Sequence, residues 1–381
     1  MEIGLLTNIA SPYKTLQINE YCNIKNVNIT VYYTEPNNKK IKWEEKIARF
    51  KEVPLKQINF FSRLNLILNK GIFKILYKSD LIIISGYDQL SMIFMSILCF
   101  LFNKPYVVFF DGISKNRLSI RESKFKKLLK KFIVNKSTAV MANGSIGRLY
   151  LQNVLSCPKE KIYNQYLSID YKAINQLAID KDKYRAYYRN KYNIDDSAKV
   201  LLYSGRLIDK KNVEKVIYAL SKLKRDDITF LITGGGILEE RLRILAEELD
   251  INIIITGFID VQEELFKHYF AADCLILPSI DEPWGLVVNE AMVAGLPVIA
   301  SDICGCSLDL VKNGVNGFTI NPSSVEDIAE KINHVLSKEN INMFGEQSKI
   351  IISEWTFENS RKNLEAIIND FTLKKEIHKS K

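Results

Sequence analysis

The chain has 381 residues, and at about 150 residues per domain that length predicts two domains. With 47% hydrophobic and 25% charged residues, 17 Gly and 9 Pro, it can bury substantial cores, which excludes a disordered chain and a collagen-like repeat. Fifty-three Lys and Arg against 44 Asp and Glu leave a net charge of +9, a balance that suits an anionic partner such as nucleic acid, nucleotide phosphates or a membrane surface.

Short β-branched runs alternate with longer helical patterns, the signature of parallel strands joined by crossover helices, so the expected fold class is α/β. The stretch from Met1 to Asn8 lacks the charged start and long apolar run of a secretory signal and reads as a first strand, at 3–7, where the mature chain is expected to begin. Further strands are predicted at 29–33, 81–85, 106–110 and 139–142, with helices after Pro12, Gln89, Arg121 and Gly144. The apolar run 90–102 has 13 residues, short of the ~20 that a membrane span requires, and reads as a buried helix.

The helix after Arg121 concentrates the charge. Residues 115–136 contain nine Lys and Arg against Glu122 alone, and a second basic stretch, 374–381, has four Lys against Glu376, which leaves the remainder slightly acidic. Phe125, Leu128, Leu129, Phe132 and Ile133 recur at helical spacing on one face, expected against the sheet, while Lys124, Lys126, Lys127, Lys130 and Lys131 occupy the other. Such a lysine row attracts anionic lipid at about 1 kcal/mol per residue near the surface. It lacks the interleaved aromatics on which nucleic acid bases stack.

Residues 170–197, polar, charged and rich in tyrosine, mark a domain boundary. Within them Asp180 and Asp182 read as solvated charges. Beyond, the pattern restarts, with strands predicted at 200–203, 229–233, 252–256, 274–278 and 297–300. The six cysteines, Cys22, Cys99, Cys157, Cys274, Cys304 and Cys306, show no CxxC and no His at ligand spacing, so no metal site is expected and a reducing compartment fits.

The most informative segment runs from Pro278 to Ser301 and places two carboxylates, Glu282 and Glu290, eight positions apart. An apolar strand precedes it, Pro283 and Gly285 force a turn, and a helix is predicted at 286–294. The first N–H groups of that helix, with its dipole, can hold a phosphate. Glu290, about a turn into the helix, could accept two hydrogen bonds from a vicinal diol such as a ribose, and Glu282, in the loop ahead, could do the same for a second sugar. In the loop from Ser204 to Asn212, Arg206 and either Lys210 or Lys211 offer two cations to a diphosphate and to the charge that builds as it departs. Gly234, Gly235 and Gly236 follow the next strand and allow either close backbone approach to a ligand or a plain turn.

The segment Pro-Ser…Glu-Pro-Trp-Gly-Leu…Glu-Ala-Met…Gly-Leu-Pro-Val-Ile-Ala-Ser resembles the signature of the retaining nucleotide-sugar glycosyltransferases of family 4. That resemblance implies the GT-B fold: two Rossmann-like domains with parallel sheets facing across a cleft. The Gly205-Arg206-Leu207…Lys210-Lys211-Asn212 block is similar to the family's diphosphate loop, Thr256-Gly257-Phe258-Ile259 to the segment beside its nucleotide base, and the likeness extends over residues 200–332. It implies that Glu290 binds the ribose, Glu282 contacts the transferred sugar, and Arg206 and Lys211 bind the diphosphate. Gly205, Gly234, Phe258, Ile259, Gly285, Leu286 and Val287 would line the donor. In the first half, residues 6–14 resemble the opening of some bacterial members and imply an acceptor side at Asn8, Ser11, Tyr13 and Asp111. The Gly-Gly loop that many members carry is missing there, and Asp111-Gly112 stands where numerous relatives place a His or other polar group.

The implied domains are 1–170 for the acceptor, completed by a closing helix at 356–375, then a linker and boundary helix at 171–197, and 198–355 for the nucleotide-sugar. The implied activity is sugar transfer from a nucleotide-sugar to a hydroxyl of a glycan or lipid-linked glycan, with retention at the anomeric carbon and no metal or other cofactor. The setting implied is bacterial cell-surface polysaccharide synthesis, whether capsule, lipopolysaccharide or O-antigen. The enzyme would be cytoplasmic, held against the anionic inner face of the plasma membrane by Lys126, Lys127, Lys130 and Lys131. Two alternatives stay open. A GT-B nucleotide-sugar epimerase would need no acceptor, and an inactive peripheral membrane scaffold would not require the intact Glu282, Glu290, Arg206 and Lys211.

Overall fold

The computed structural model describes residues 1–36, 46–58, 66–120 and 122–379, with side chains through Leu373. It divides into two compact units, the first made of Met1–Gly112, Arg117–Ser168 and Thr356–Lys381, the second of Ile113–Asn116 and Ile169–Trp355. The basic side chains expected at 374–381 therefore lie outside the described residues.

The first unit is built on a seven-stranded parallel sheet. Its strands are β1 (Glu2–Thr7), β2 (Asn28–Tyr33), β3 (Lys51–Pro54), β4 (Leu81–Ser85), β5 (Tyr106–Phe110), β6 (Ala139–Ala142) and β7 (Ile162–Asn164), in the order β3-β2-β1-β4-β5-β6-β7. The runs in β4, β5 and β6 are buried at every residue, as a parallel sheet covered on both faces demands. Leu5, Val31, Ile83, Val107 and Met141 form one side of the core, and Leu364 and Ile367 of the closing helix, Phe357–Lys379, complete it. Two buried hydrogen bonds fasten that helix: Gln17 Nε2 donates to Ser360 Oγ at 3.0 Å, and the hydroxyls of Tyr21 and Ser360 are 2.7 Å apart.

The second unit repeats the plan with six parallel strands, β8 (Lys199–Ser204), β9 (Ile228–Thr233), β10 (Ile253–Ile255), β11 (Cys274–Leu277), β12 (Val298–Ser301) and β13 (Gly317–Ile320), ordered β10-β9-β8-β11-β12-β13. In each sheet the order reverses once, between β1 and β4 and between β8 and β11. Such switch points open a crevice at the carboxyl ends of the strands, where α/β sheets bind ligands.

Residues 171–197, expected as a linker and boundary helix, are helical over most of their length. They form the helices Tyr171–Leu177 and Lys181–Lys191, which belong to the second unit. Arg189 is buried and pairs with Asp273 at 2.8 Å while donating to the carbonyls of Ala271, Asp195, Asp196 and Ala198; Arg185 takes the other Asp273 oxygen at 2.7 Å. A fully partnered arginine is the one form in which such a charge enters a core, and composition cannot distinguish it from a solvated one. Asp180 and Asp182 are exposed. The helix Leu90–Leu101 is buried or half-buried through Cys99 but ends in exposed Phe100, Leu101 and Phe102, so the expected buried helix emerges at its last turn. All six cysteines are free, and among the described residues no helix is long and apolar enough to cross a membrane.

Candidate active site

The loops that follow β8, β9, β10 and β11 meet at one edge of the second sheet. Tyr203, the penultimate residue of β8, turns its hydroxyl to the carbonyl of Arg206 at 2.9 Å and so closes the first loop on itself. Gly205 and Gly234 then approach closely. Gly234 has φ +148, and a β-carbon there would lie 2.0 Å from the Gly205 carbonyl oxygen, so only glycine fits. An isolated bridge joins Gly234 to Gly257, bringing exposed Phe258 and half-buried Ile259 to the same edge. The close approach these glycines make is to protein backbone, Gly234 to the Gly205 carbonyl and Gly236 to that of Leu207.

Asn212 ties these loops to the next pair of strands. In the left-handed region with φ 58, it donates through Nδ2 to the carbonyls of Pro278, at 3.1 Å, and Pro322, at 2.8 Å. The loop 278–285 is further held by backbone bonds from Ile280 N–H to the Lys210 carbonyl and from Gly305 N–H to the Glu282 carbonyl, both 2.9 Å. It ends at Gly285, whose φ of +101 caps the helix Leu286–Val293 and would be strained in any other residue. The first amides of that helix, those of Leu286 and Val287, have no carbonyl one turn earlier to accept them. Trp284 anchors the turn: it is buried, stacks on Trp355 with centroids 5.0 Å apart, and donates to Asn289 Oδ1 at 3.0 Å.

Three charged side chains stand on this frame. Lys211 and Glu282, each largely buried, form an ion pair with one another, so two groups expected on different parts of a ligand are mutual partners. Lys210 is 3.9 Å from Asp281, which leaves Lys211 as the inner cation. Arg206 is exposed and makes no ion pair among the described residues. Glu290 is buried one turn into the helix, and the Tyr269 hydroxyl donates to its Oε2 at 2.5 Å. Burial pushes the Glu290 carboxyl up to about 7, against which the Tyr269 hydrogen bond works. Tyr269 escaped the sequence reading because an isolated tyrosine on a helix carries no local signal.

A second set of contacts in this unit comes from Ile113–Asn116. Ser114 Oγ donates to Asp281 Oδ1 at 2.5 Å, Asn116 Nδ2 to the Ile280 carbonyl at 2.9 Å, and Lys115 pairs with Asp302 at 2.9 Å. These residues brace the Glu282 loop and were not foreseen. Cys304 and Cys306 are buried, and burial drives both thiols well above their ordinary range. Among the described residues no cluster of His, Cys, Asp or Glu could hold a metal ion.

In the first unit the equivalent sheet edge centres on a residue the sequence reading passed over. Lys14, in the helix Pro12–Tyr21, pairs with Asp111 at 3.0 Å and donates to Ser85 Oγ at 3.0 Å and more weakly to Thr7 Oγ1 at 3.4 Å. It therefore links the ends of β1, β4 and β5. Burial works to lower its pKa, yet Asp111, Tyr13 and Asp88 together outweigh this and hold the ammonium above its usual value. Gln165 donates to Asp111 at 2.8 Å. Of the acceptor-side candidates, Asp111 thus stands in a charged network, Tyr13 lies beside it with its hydroxyl pushed up by burial, Asn8 Oδ1 accepts from the Ile9 amide at 2.9 Å, and Ser11 is buried at the helix cap. Lys14 lies inside the segment 6–14 already singled out; what pointed past it was the absence of a visible partner.

The basic helix, Lys124–Lys136, differs from expectation on both faces. Lys130 turns inward to Glu122 at 2.6 Å, and Lys131 donates to Ser156 Oγ at 3.1 Å, while Lys126 and Lys127 stay exposed. Ile133 and Val134 are buried, but Phe125 and Leu128 face solvent. The apolar stripe meets the sheet only in its second half.

Two units of this design, each a parallel sheet with its ligand edge at a switch point, define the GT-B fold. Over 97% of this chain and 100% of the other, the structure superposes with a TM-score of 0.73 on Alr3699/HepE of Anabaena, solved with UDP and glucose, at 18% identity. Residues 185–351, within the second unit, match the family model described as Glycosyl transferases group 1. An uncharacterized glycosyltransferase of Methanocaldococcus jannaschii is 30% identical over 191 residues, 49% of this chain and 47% of that protein. The lipopolysaccharide 1,2-N-acetylglucosaminetransferase of Salmonella typhimurium is 29% identical over 191 residues, 46% of this chain and 50% of its own length. The chain spans about half the length of the curated relatives it matches.

Proposed function

We propose that the protein is a hexosyltransferase-type enzyme that moves a sugar from a nucleotide-sugar to a hydroxyl acceptor with retention of anomeric configuration. The observation that carries this reading is the gathering of Arg206, Lys211, Glu282, buried Glu290 and the start of the helix Leu286–Val293 on one sheet edge. The ionised Glu290 carboxylate would accept the two ribose hydroxyls, with Tyr269 fixing its orientation. Arg206 and the helix start would take the diphosphate. Lys211 would exchange its partner: as the donor enters, the ammonium moves to a phosphate oxygen and releases Glu282 to the hydroxyls of the transferred sugar. Negative charge building on the departing diphosphate is then met by groups already in place. Attack by the acceptor on the face the diphosphate leaves gives retention without a covalent enzyme intermediate, and the reading assigns no metal.

The first unit would bind the acceptor near Asp111 and Lys14, and its basic helix would hold the enzyme on an anionic membrane, as suits a lipid-linked glycan of a bacterial cell surface. The likeness to HepE, solved with UDP-glucose, supports the donor class, and that to the Salmonella lipopolysaccharide transferase supports the cell-surface setting. The test is proton NMR of the product formed from an α-linked nucleotide-sugar: an α-glycoside supports the reading, and a β-glycoside contradicts retention. Release of free epimer without acceptor would favour the epimerase instead.

A further inference from the structure

We infer that the first unit carries an interfacial membrane site that buries side chains in an anionic bilayer, formed by the helices Ile72–Lys78, Leu90–Leu101 and Lys124–Lys136. The inference rests on the membrane reading above and goes beyond it. That reading used lysines alone, whereas the structure exposes a connected apolar strip among them. Tyr77, Leu101, Phe125 and Leu128 are 70%, 67%, 75% and 66% exposed. Ring contacts join the three helices into one surface: Tyr77 meets Phe102 with centroids 6.2 Å apart, and Phe100 meets Phe132 at 5.2 Å. Phe132, Leu128 and Phe125 continue the strip along the basic helix at i, i−4 and i−7. An exposed apolar strip of this extent on a folded unit marks a contact surface.

Charge identifies the occupant. The three helices contain eight lysines and not one Asp or Glu. Lys136 lies over the Phe100 ring at 5.2 Å, and Lys124, Lys126 and Lys127 make no ion pair among the described residues. Lys130 apart, which is paired inward with Glu122, a second copy of the chain would bring the same lysines against these, so the fold argues against self-association through this face. An anionic lipid surface satisfies both halves of the pattern, its headgroups meeting the ammonium groups and its acyl boundary taking the rings and leucines. Lysine stems can lie along the apolar strip with their charges at headgroup level.

The experiment is flotation of the full chain with vesicles of phosphatidylcholine alone or mixed with phosphatidylglycerol, at low salt and at about 1 M, where the Debye length falls to about 3 Å. The wild type should float with the anionic vesicles and keep part of its binding in high salt. Phe125→Ser/Leu128→Ser and Leu101→Ser/Phe102→Ser should each weaken binding roughly tenfold or more and abolish the salt-resistant part, with Tm and donor turnover unchanged. Lys126→Glu/Lys127→Glu should weaken binding to anionic vesicles at low salt. If the serine variants bind like the wild type, or salt strips the wild type completely, insertion is overturned while adhesion by lysines survives. If the wild type floats with neither vesicle, both readings fail. A lipid-free dimer that dissociates on Phe125→Ser/Leu128→Ser would assign the face to a second copy and overturn the inference.

Discussion

Glu290 shows how much of this site depends on one environment. Its carboxyl sits at about 7 in the folded chain against an ordinary 4.5, because burial disfavours the charge more than the Tyr269 hydroxyl supports it. Between those values the folded protein keeps a proton that the unfolded chain releases. The resulting stability is full below pH 4.5 and is lost as pH rises through 7, on the order of 3 kcal/mol. Denaturant titrations of the ligand-free protein across this window should show that decline, and Glu290→Gln should flatten it. Donor binding should run the other way, strengthening as pH rises through 7 and the carboxylate becomes available to a diol, with no such rise in Glu290→Gln. Arg206→Ala should weaken donor binding by about 1.5–3 kcal/mol, the range for hydrogen bonds to a charged group, with the unfolding midpoint unmoved since the side chain is exposed and makes no ion pair among the described residues. The identities of these residues were legible in the sequence, since each is a charged type at a fixed place in a motif. Their pairing was not: Lys211 and Glu282 are 71 positions apart, and only the closing of β8 against β11 makes them neighbours.

The elements matter through the loops they launch. Because a β-carbon on Gly234 would meet the Gly205 carbonyl, Gly234→Ala must separate the loops after β8 and β9, and its φ adds strain. It should lower Tm and abolish nucleotide binding together, whereas Arg206→Ala should affect binding alone. Trp284→Ala removes the stack on Trp355 and the hydrogen bond to Asn289 and should cost about 3–5 kcal/mol in a urea titration. The buried central strands were readable because a parallel sheet covered on both faces demands continuous β-branched runs. β3, β7 and β13 were missed for the opposite reason: they lie at or next to a sheet edge, are short, and Lys51–Pro54 offers no apolar pattern at all. The segment 171–197 misled because exposed and buried arginines have the same composition, and the partner that lets Arg189 enter the core is Asp273, far along the chain, while Arg185, on the other Asp273 oxygen, stays partly exposed.

At the scale of the molecule, the chain leaves the first sheet after Ser168 and returns to it at Thr356, so the first unit is finished only by the last helix. Leu364, Ile367 and Ile368 fill a core that residues 1–168 leave open. Truncation before Thr356 should therefore unfold the first unit, seen as loss of its calorimetric transition, while the second retains nucleotide binding. The net charge of +9 separates along the same division, with its densest part on helices of the first unit and only Arg206 and Lys211 among the groups assigned to the donor. The proposed activity requires the second unit to bind and activate a nucleotide-sugar. Its most direct test is nucleotide release from a panel of nucleotide-sugars by the wild type, Glu290→Ala and Arg206→Ala. At least one donor should be turned over by the wild type and lose most of that turnover in both variants; equal release by all three proteins would contradict the site.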